Sequence, residues 1–123
     1  MEPRTLAAVS TCARTLAGAT DIDDAIGGAA SATLGPLRAA ADRAALARRF
    51  HDAAVHAAHR PADATAAVLF DALESARLDA LGARWLAGIA RNLLACPGPD
   101  DDGVRWLAFV GFSGMPVPPH TAP

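Results

Sequence analysis

Apolar residues recur at helical spacing over most of this chain. After Pro3, the run TLAAVSTCARTLAG puts Leu6, Val9, Ala13 and Leu16 on one stripe, with Gly18 as a stop. Leu46, Phe50, Ala53 and Ala57 form the inward stripe of a second helix, predicted from about Leu37 to His59 and ended by Pro61. A third helical segment starts near Pro61 or Asp63 and then changes phase. Leu69, Leu73, Ala76 and Ala80 lie on one side, while Leu78, Leu81, Trp85, Ile89 and Leu93 lie roughly opposite. A bend or break at Gly82, between Ala80 and Ala83, would relieve that conflict.

The remaining segments are shorter. In DIDDAI the alternation, followed by SATL, allows a short β-hairpin between the first and second helices. CPGPDDDG reads as a loop whose Asp100, Asp101 and Asp102 suit the positive end of a following helix dipole. That helix carries Val104, Trp106, Leu107, Phe109, Val110 and Phe112, and GMPVPPHTAP reads as a linker or frayed terminus. The expected fold is mainly α, a compact bundle of about four to five helices with one short hairpin. It occupies a single domain over residues 1–113, followed by a flexible tail over 114–123.

Composition narrows this further. A chain of 123 residues suffices for a single core, and a hydrophobic content of 52% argues against disorder. Aromatic residues make up only 5% and Tyr is absent, so the core must be built mainly from Ala, Leu and Val. Small Ala side chains let helix axes approach closely and lose no rotamer entropy. The formal net charge of -2 gives no footprint for nucleic acid or an anionic membrane. Cys12 and Cys96 form no CxxC pair and read as free buried thiols. Glu2 and Arg14 spoil a signal-peptide reading, and the uncharged stretch Trp106–Thr121 is proline-interrupted and too short to span a bilayer. A soluble, cytoplasmic protein is expected.

Candidate chemistry centres on His51, His56 and His59. On a continuous helix, Asp52, His56 and His59 share one side and His51 points away from them. One carboxylate and two imidazoles at that spacing are the weak candidates for a cobalt or zinc site. The structural reading carries more weight: His56 and His59 complement the carbonyls of a last helical turn, with a modest Asp52–His56 pair. Glu74 and Arg77 are one turn apart, and Arg84 and Arg91 follow at seven-residue intervals, as a solvated face or as a docking surface. Asn92 suits a cap or a junction between segments. The chain has no GxxxxGK[ST], GxSxG or HExxH motif, and Asp100–Asp102 lack the alternating spacing of a loop cation site. Neither a catalytic residue nor a bound cofactor is expected.

His51-Asp52, His56, Phe70-Asp71, Glu74, Ala76-Arg77, Gly82, Arg84, Gly88 and Asn92-Leu93 together resemble the amino-terminal region of the T subunit of aerobic cobaltochelatase. The resemblance is densest from Phe50 to Leu93. There are departures: Phe50 stands where the family usually carries Cys, and Trp85 replaces a second basic residue after Arg84. The resemblance implies a helical assembly module of a machine that inserts cobalt during cobalamin synthesis. Its partners would be an ATPase subunit of the AAA+ class and a large porphyrinoid-binding subunit, with self-association left open. ATP, Mg2+ and Co2+ would be used by the complex and not held by this chain. Family members continue into an acidic linker and a von Willebrand factor A-type domain bearing DxSxS, a motif this sequence lacks. The chain therefore reads as a fragment, a truncated product or a stand-alone relative. The resemblance casts His51, Asp52, His56, Glu74, Arg77, Arg84 and Asn92 as signature or partner-binding positions. The rival readings are a helical regulatory module unrelated to cobalt insertion and a small metal-binding carrier.

Overall fold

The computed structural model describes residues 2–27, 33–97 and 103–115. These form α1 (Pro3–Ala17), α2 (Asp23–Gly27), α3 (Leu34–Phe50), α4 (Ala53–His59), α5 (Ala64–Trp85), α6 (Ala87–Ala95) and α7 (Val104–Ser113). No strand occurs among the described residues, in keeping with a mainly α fold. The hairpin expectation is corrected at its first half. Asp23 to Ile26 of DIDDAI coil into α2, which buries Ile22 and Ile26 against α1 and α3. Alternation over so few residues also fits a short helical turn with two apolar residues four apart. In the second half, Thr33 is the N-cap of α3 and Leu34 begins it, so no strand forms there either. Ser31 and Ala32 lie outside the described residues, as do Asp100–Asp102 and the tail from residue 116.

α1 ends as its sequence dictates. Gly18 adopts φ +67, and the amides of Gly18 and Ala19 close onto the carbonyls of Thr15 and Arg14. Its Ala13 and Ala17 enter a core with Leu37, Ala41 and Ala45 of α3, flanked by Leu6, Val9 and Leu16. A second core joins Ala76, Ala80 and Ala83 of α5 to Ala90 of α6 and Phe109 of α7. Leu46, Ile89 and Leu93 bridge the two. Ala is the commonest residue in both of these cores.

Two boundaries differ from expectation, for different reasons. The helix expected from Leu37 to His59 stops at Phe50, because His51 and Asp52 adopt extended backbone and Asp52 caps a new helix. Asp52 Oδ1 accepts from the Val55 amide at 3.0 Å. Ala53 and Ala57, expected to face inward, are therefore exposed on α4. The second boundary falls at Leu86, with α5 continuing unbroken past Gly82. Gly82 serves close approach: an added Cβ would stand 2.5 Å from Leu46 Cδ1 and 2.9 Å from Ile89 Cγ2. Leu69 and Leu73, also expected inside, remain about two-fifths exposed at 39% and 41%. Cys12 and Cys96 are free, but neither is buried: Cys12 is exposed and Cys96 is half-buried.

Buried polar clasps tie the helices. Asp79 of α5 accepts from Arg105 of α7 at 2.9 Å and from Arg43 of α3 at 3.4 Å. Arg43 also donates to the Cys96 carbonyl at 2.8 Å, satisfying the end of α6. Asn92 of α6 donates to Asp42 of α3 at 2.8 Å, joining the two segments as its amide suggested. Burial pushes the Asp42 carboxyl above its ordinary range, and the Asn92 bond opposes that shift.

Candidate functional site

The break at His51-Asp52 gathers His51, His56, Arg60, Asp71, Glu74 and Arg77 into one polar cluster. α4 buries none of its residues, so it is held to α5 chiefly by polar contacts. Phe70 and Asp71 face it from one turn of α5, and Glu74 and Arg77 from the next. His51 Nδ1 lies 2.9 Å from Glu74 Oε1, and His56 Nε2 lies 2.8 Å from Asp71 Oδ1. Arg60, just past α4, completes the second pair by donating to both Asp71 oxygens, at 3.1 Å and 3.0 Å. Arg77 grips Glu74 in the same two-pronged way at 2.8 Å and 2.7 Å. It also donates to the Phe50 carbonyl at 3.2 Å, taking up one of the free acceptors where α3 ends.

The rings stack across this junction. His51 and His56 have centroids 5.0 Å apart, and His56 lies 4.7 Å from Phe70 at a shallow 33°. An open pocket of about 220 Å³ is lined by His56, Glu74 and Arg77 together with Asp52 and His59. One ligand-capable atom from each of His51, His56 and Glu74 falls within 4.8 Å of the other two. Sequence spacing alone pointed to a different trio. Asp52 spends one carboxylate oxygen on its helix cap, His59 is exposed, and His56 turns to Asp71 across the helix pair. The helix break is what swings His51 toward His56. Its signal was present in HDAAV, where Asp52 three residues before Val55 can cap a helix start.

The carboxylates of this cluster are strongly stabilised in their charged form. The Arg77 guanidinium, with help from His51, holds the Glu74 carboxyl down at about 2, against partial burial. Arg60 and then His56 do the same for Asp71, also at about 2. The folded-state value for Glu74 lies below its ordinary 4.5, so its contribution to stability is present above that pH. It should be lost progressively as pH falls from about 4.5 toward 2. Chemical unfolding measured through this window should show wild type losing more stability than Glu74→Gln. Parallel curves for the two proteins would refute the assignment.

Arg84 and Arg91 are exposed, near the α5–α6 break. Arg49 of α3 lies 4.9 Å over the Trp85 ring, which is 41% exposed, and Phe50 meets Trp85 edge-on at 5.8 Å. Thus Trp85, which replaces a basic residue of the resembled pattern, supplies an aromatic platform for an Arg from another helix.

Fold and site together define a small, mainly helical module whose distinctive side chains join its helices at two polar junctions. The sequence profile of the cobalamin biosynthesis protein CobT family matches residues 28–98, and the chain belongs to that family. The Phe50–Leu93 stretch that carried the resemblance lies wholly inside the matched span. No curated protein and no solved structure matches the chain significantly. No helix among the described residues is long and apolar enough to cross a membrane.

Proposed function

We propose that this chain is a non-catalytic, cytoplasmic assembly module of an ATP-dependent cobaltochelatase, with cobalt as the substrate of the complex. The observation that carries the proposal is the family match over residues 28–98, which ties the chain to cobalamin biosynthesis. The surface offers support. Arg49 lies over the exposed Trp85 ring and the neighbouring Arg84 is exposed, and Trp and Arg are the residues that most often anchor interfaces. Arg also pairs with carboxylates in a fixed fork, which suits an acidic partner surface. The partners proposed are the AAA+ ATPase subunit and the large porphyrinoid-binding subunit, which would bind ATP and Mg2+ and carry out insertion.

Co-expression of the tagged chain with the ATPase subunit tests this reading. The ATPase should co-purify with wild type and be largely lost with Arg84→Glu, while the helical circular dichroism stays unchanged. Failure of wild type to retain either chelatase partner would favour a stand-alone interaction protein and overturn the proposal.

A further inference from the structure

We propose that His51, His56 and Glu74 form a binding site for one borderline divalent transition-metal ion, of the zinc or cobalt(II) kind. The site stands on its own geometry and does not depend on assembly with a chelatase. Its ligands come from the end of α3, from α4 and from α5, and one candidate donor atom of each lies within 4.8 Å of the others. Ligands about 2.0–2.1 Å from a tetrahedral ion stand roughly 3.3 Å apart. His51 Nδ1 and Glu74 Oε1, at 2.9 Å, are already near that spacing. Only His56 must close in, and it sits on a short helix without a buried residue, so a small shift there disturbs no core packing.

The outer contacts suit ligation. A metal-bound imidazole usually gives its other nitrogen to a carboxylate, which orients the ring and raises its basicity. Asp71 stands at His56 Nε2 at 2.8 Å, leaving Nδ1 of that ring for the ion. Arg77 fixes the Glu74 carboxylate through both oxygens, and a carboxylate retains lone pairs for a metal when so bound. Two imidazoles select against Mg2+ and Ca2+, which prefer all-oxygen shells. Glu74 and Asp71 are balanced by Arg77 and Arg60, so the ion's own charge is not fully neutralised. Affinity should therefore be moderate. His56 and Glu74 line an open pocket, so a fourth position on that side would face solvent, as in sites that exchange their ion or take an incoming ligand.

The test titrates ZnCl2 or CoCl2 into the full chain, followed by calorimetry and, for Co2+, by visible absorption. Wild type should bind one ion with a micromolar dissociation constant and develop the absorption of a low-coordinate Co2+ site. His51→Ala, His56→Gln and Glu74→Gln should each weaken binding by about tenfold or more, and Asp71→Asn by roughly tenfold through loss of ring orientation. His59→Ala, at a residue lining the same pocket, should change it little. Circular dichroism of each variant separates lost ligation from lost folding. Absence of saturable binding by wild type would overturn the proposal. So would an effect of His59→Ala as large as that of His51→Ala, or full affinity in a folded Glu74→Gln.

Discussion

Replacing Asp79 by Ala should destabilise the fold by about 3 kcal/mol, the range for removing one partner of a buried ion pair. The Asp79 side chain is 10% exposed, and its partners Arg105 and Arg43 are 15% and 24% exposed. The substitution would leave two guanidiniums in a poorly hydrated junction with their shared acceptor gone. Because the clasp joins α3, α5 and α7, the loss should appear as a lower global unfolding midpoint rather than local fraying. Urea denaturation read by far-ultraviolet circular dichroism measures it directly. Asp21→Ala is the contrast, since its pair with Arg48 is solvent-exposed and should leave the midpoint nearly unchanged. Equal effects of the two substitutions would show that the buried clasp adds nothing beyond a surface pair.

The second large effect is expected at Gly82. Gly82→Val should cost about 3 kcal/mol, because its Cβ would overlap a well-packed core and force neighbours off their rotamers. Leu46 and Ile89, the side chains it would meet at 2.5 Å and 2.9 Å, are 1% and 3% exposed and have little room to yield. Gly82→Ala should cost less, since Ala regains up to about 1 kcal/mol in helix propensity. Gly88→Ala is the control: an added Cβ there meets only Arg91 Nη2, at 3.8 Å. It should be neutral or stabilising. Thermal melts of the three variants should rank Gly88→Ala, Gly82→Ala and Gly82→Val in order of falling midpoint. A Gly82→Val melt matching wild type would contradict the close-approach role.

What the sequence disclosed, and what it withheld, follows from the range of each signal. The α1 boundaries were legible because Pro3, the Leu6–Leu16 stripe and Gly18 act locally. The phase change expected after Ala80 does not occur within α5: Ala76, Ala80 and Ala83 stay in one core, while Leu78 and Leu81 are half-buried and Trp85 is exposed. Gly82 drew the break to itself on propensity, whereas tertiary packing uses that glycine to admit Leu46 and lets the helix run on to Trp85. The His51-Asp52 break was hidden because Ala-rich sequence on both sides favours continuation. Reading a continuous helix dispersed the histidines, and the cap at Asp52 brings His51 and His56 to a ring separation of 5.0 Å.

Asp42 and Asp79 carried a signal that patterning overlooks. Each lies on an apolar stripe, Asp42 one turn before Leu46 and Asp79 between Ala76 and Ala83, where a lone carboxylate implies a partner from another helix. Which helix supplies it cannot be derived from spacing. Asn92 and Arg105 sit 50 and 26 residues away along the chain. The Glu74–Arg77 pair, by contrast, was readable from i, i+3 spacing and forms as expected. Its grip on Phe50 across the α3–α4 break was not, because that contact exists only once the helix ends there.

The central claim, that the chain works by assembling with chelatase subunits, is tested most directly by sedimentation velocity on purified components. The chain mixed with the AAA+ ATPase subunit and ATP should move in a common, faster boundary. Arg84→Glu should return it to the boundary of the free chain. Independent sedimentation of wild type from both the ATPase and the porphyrinoid-binding subunit would contradict the account.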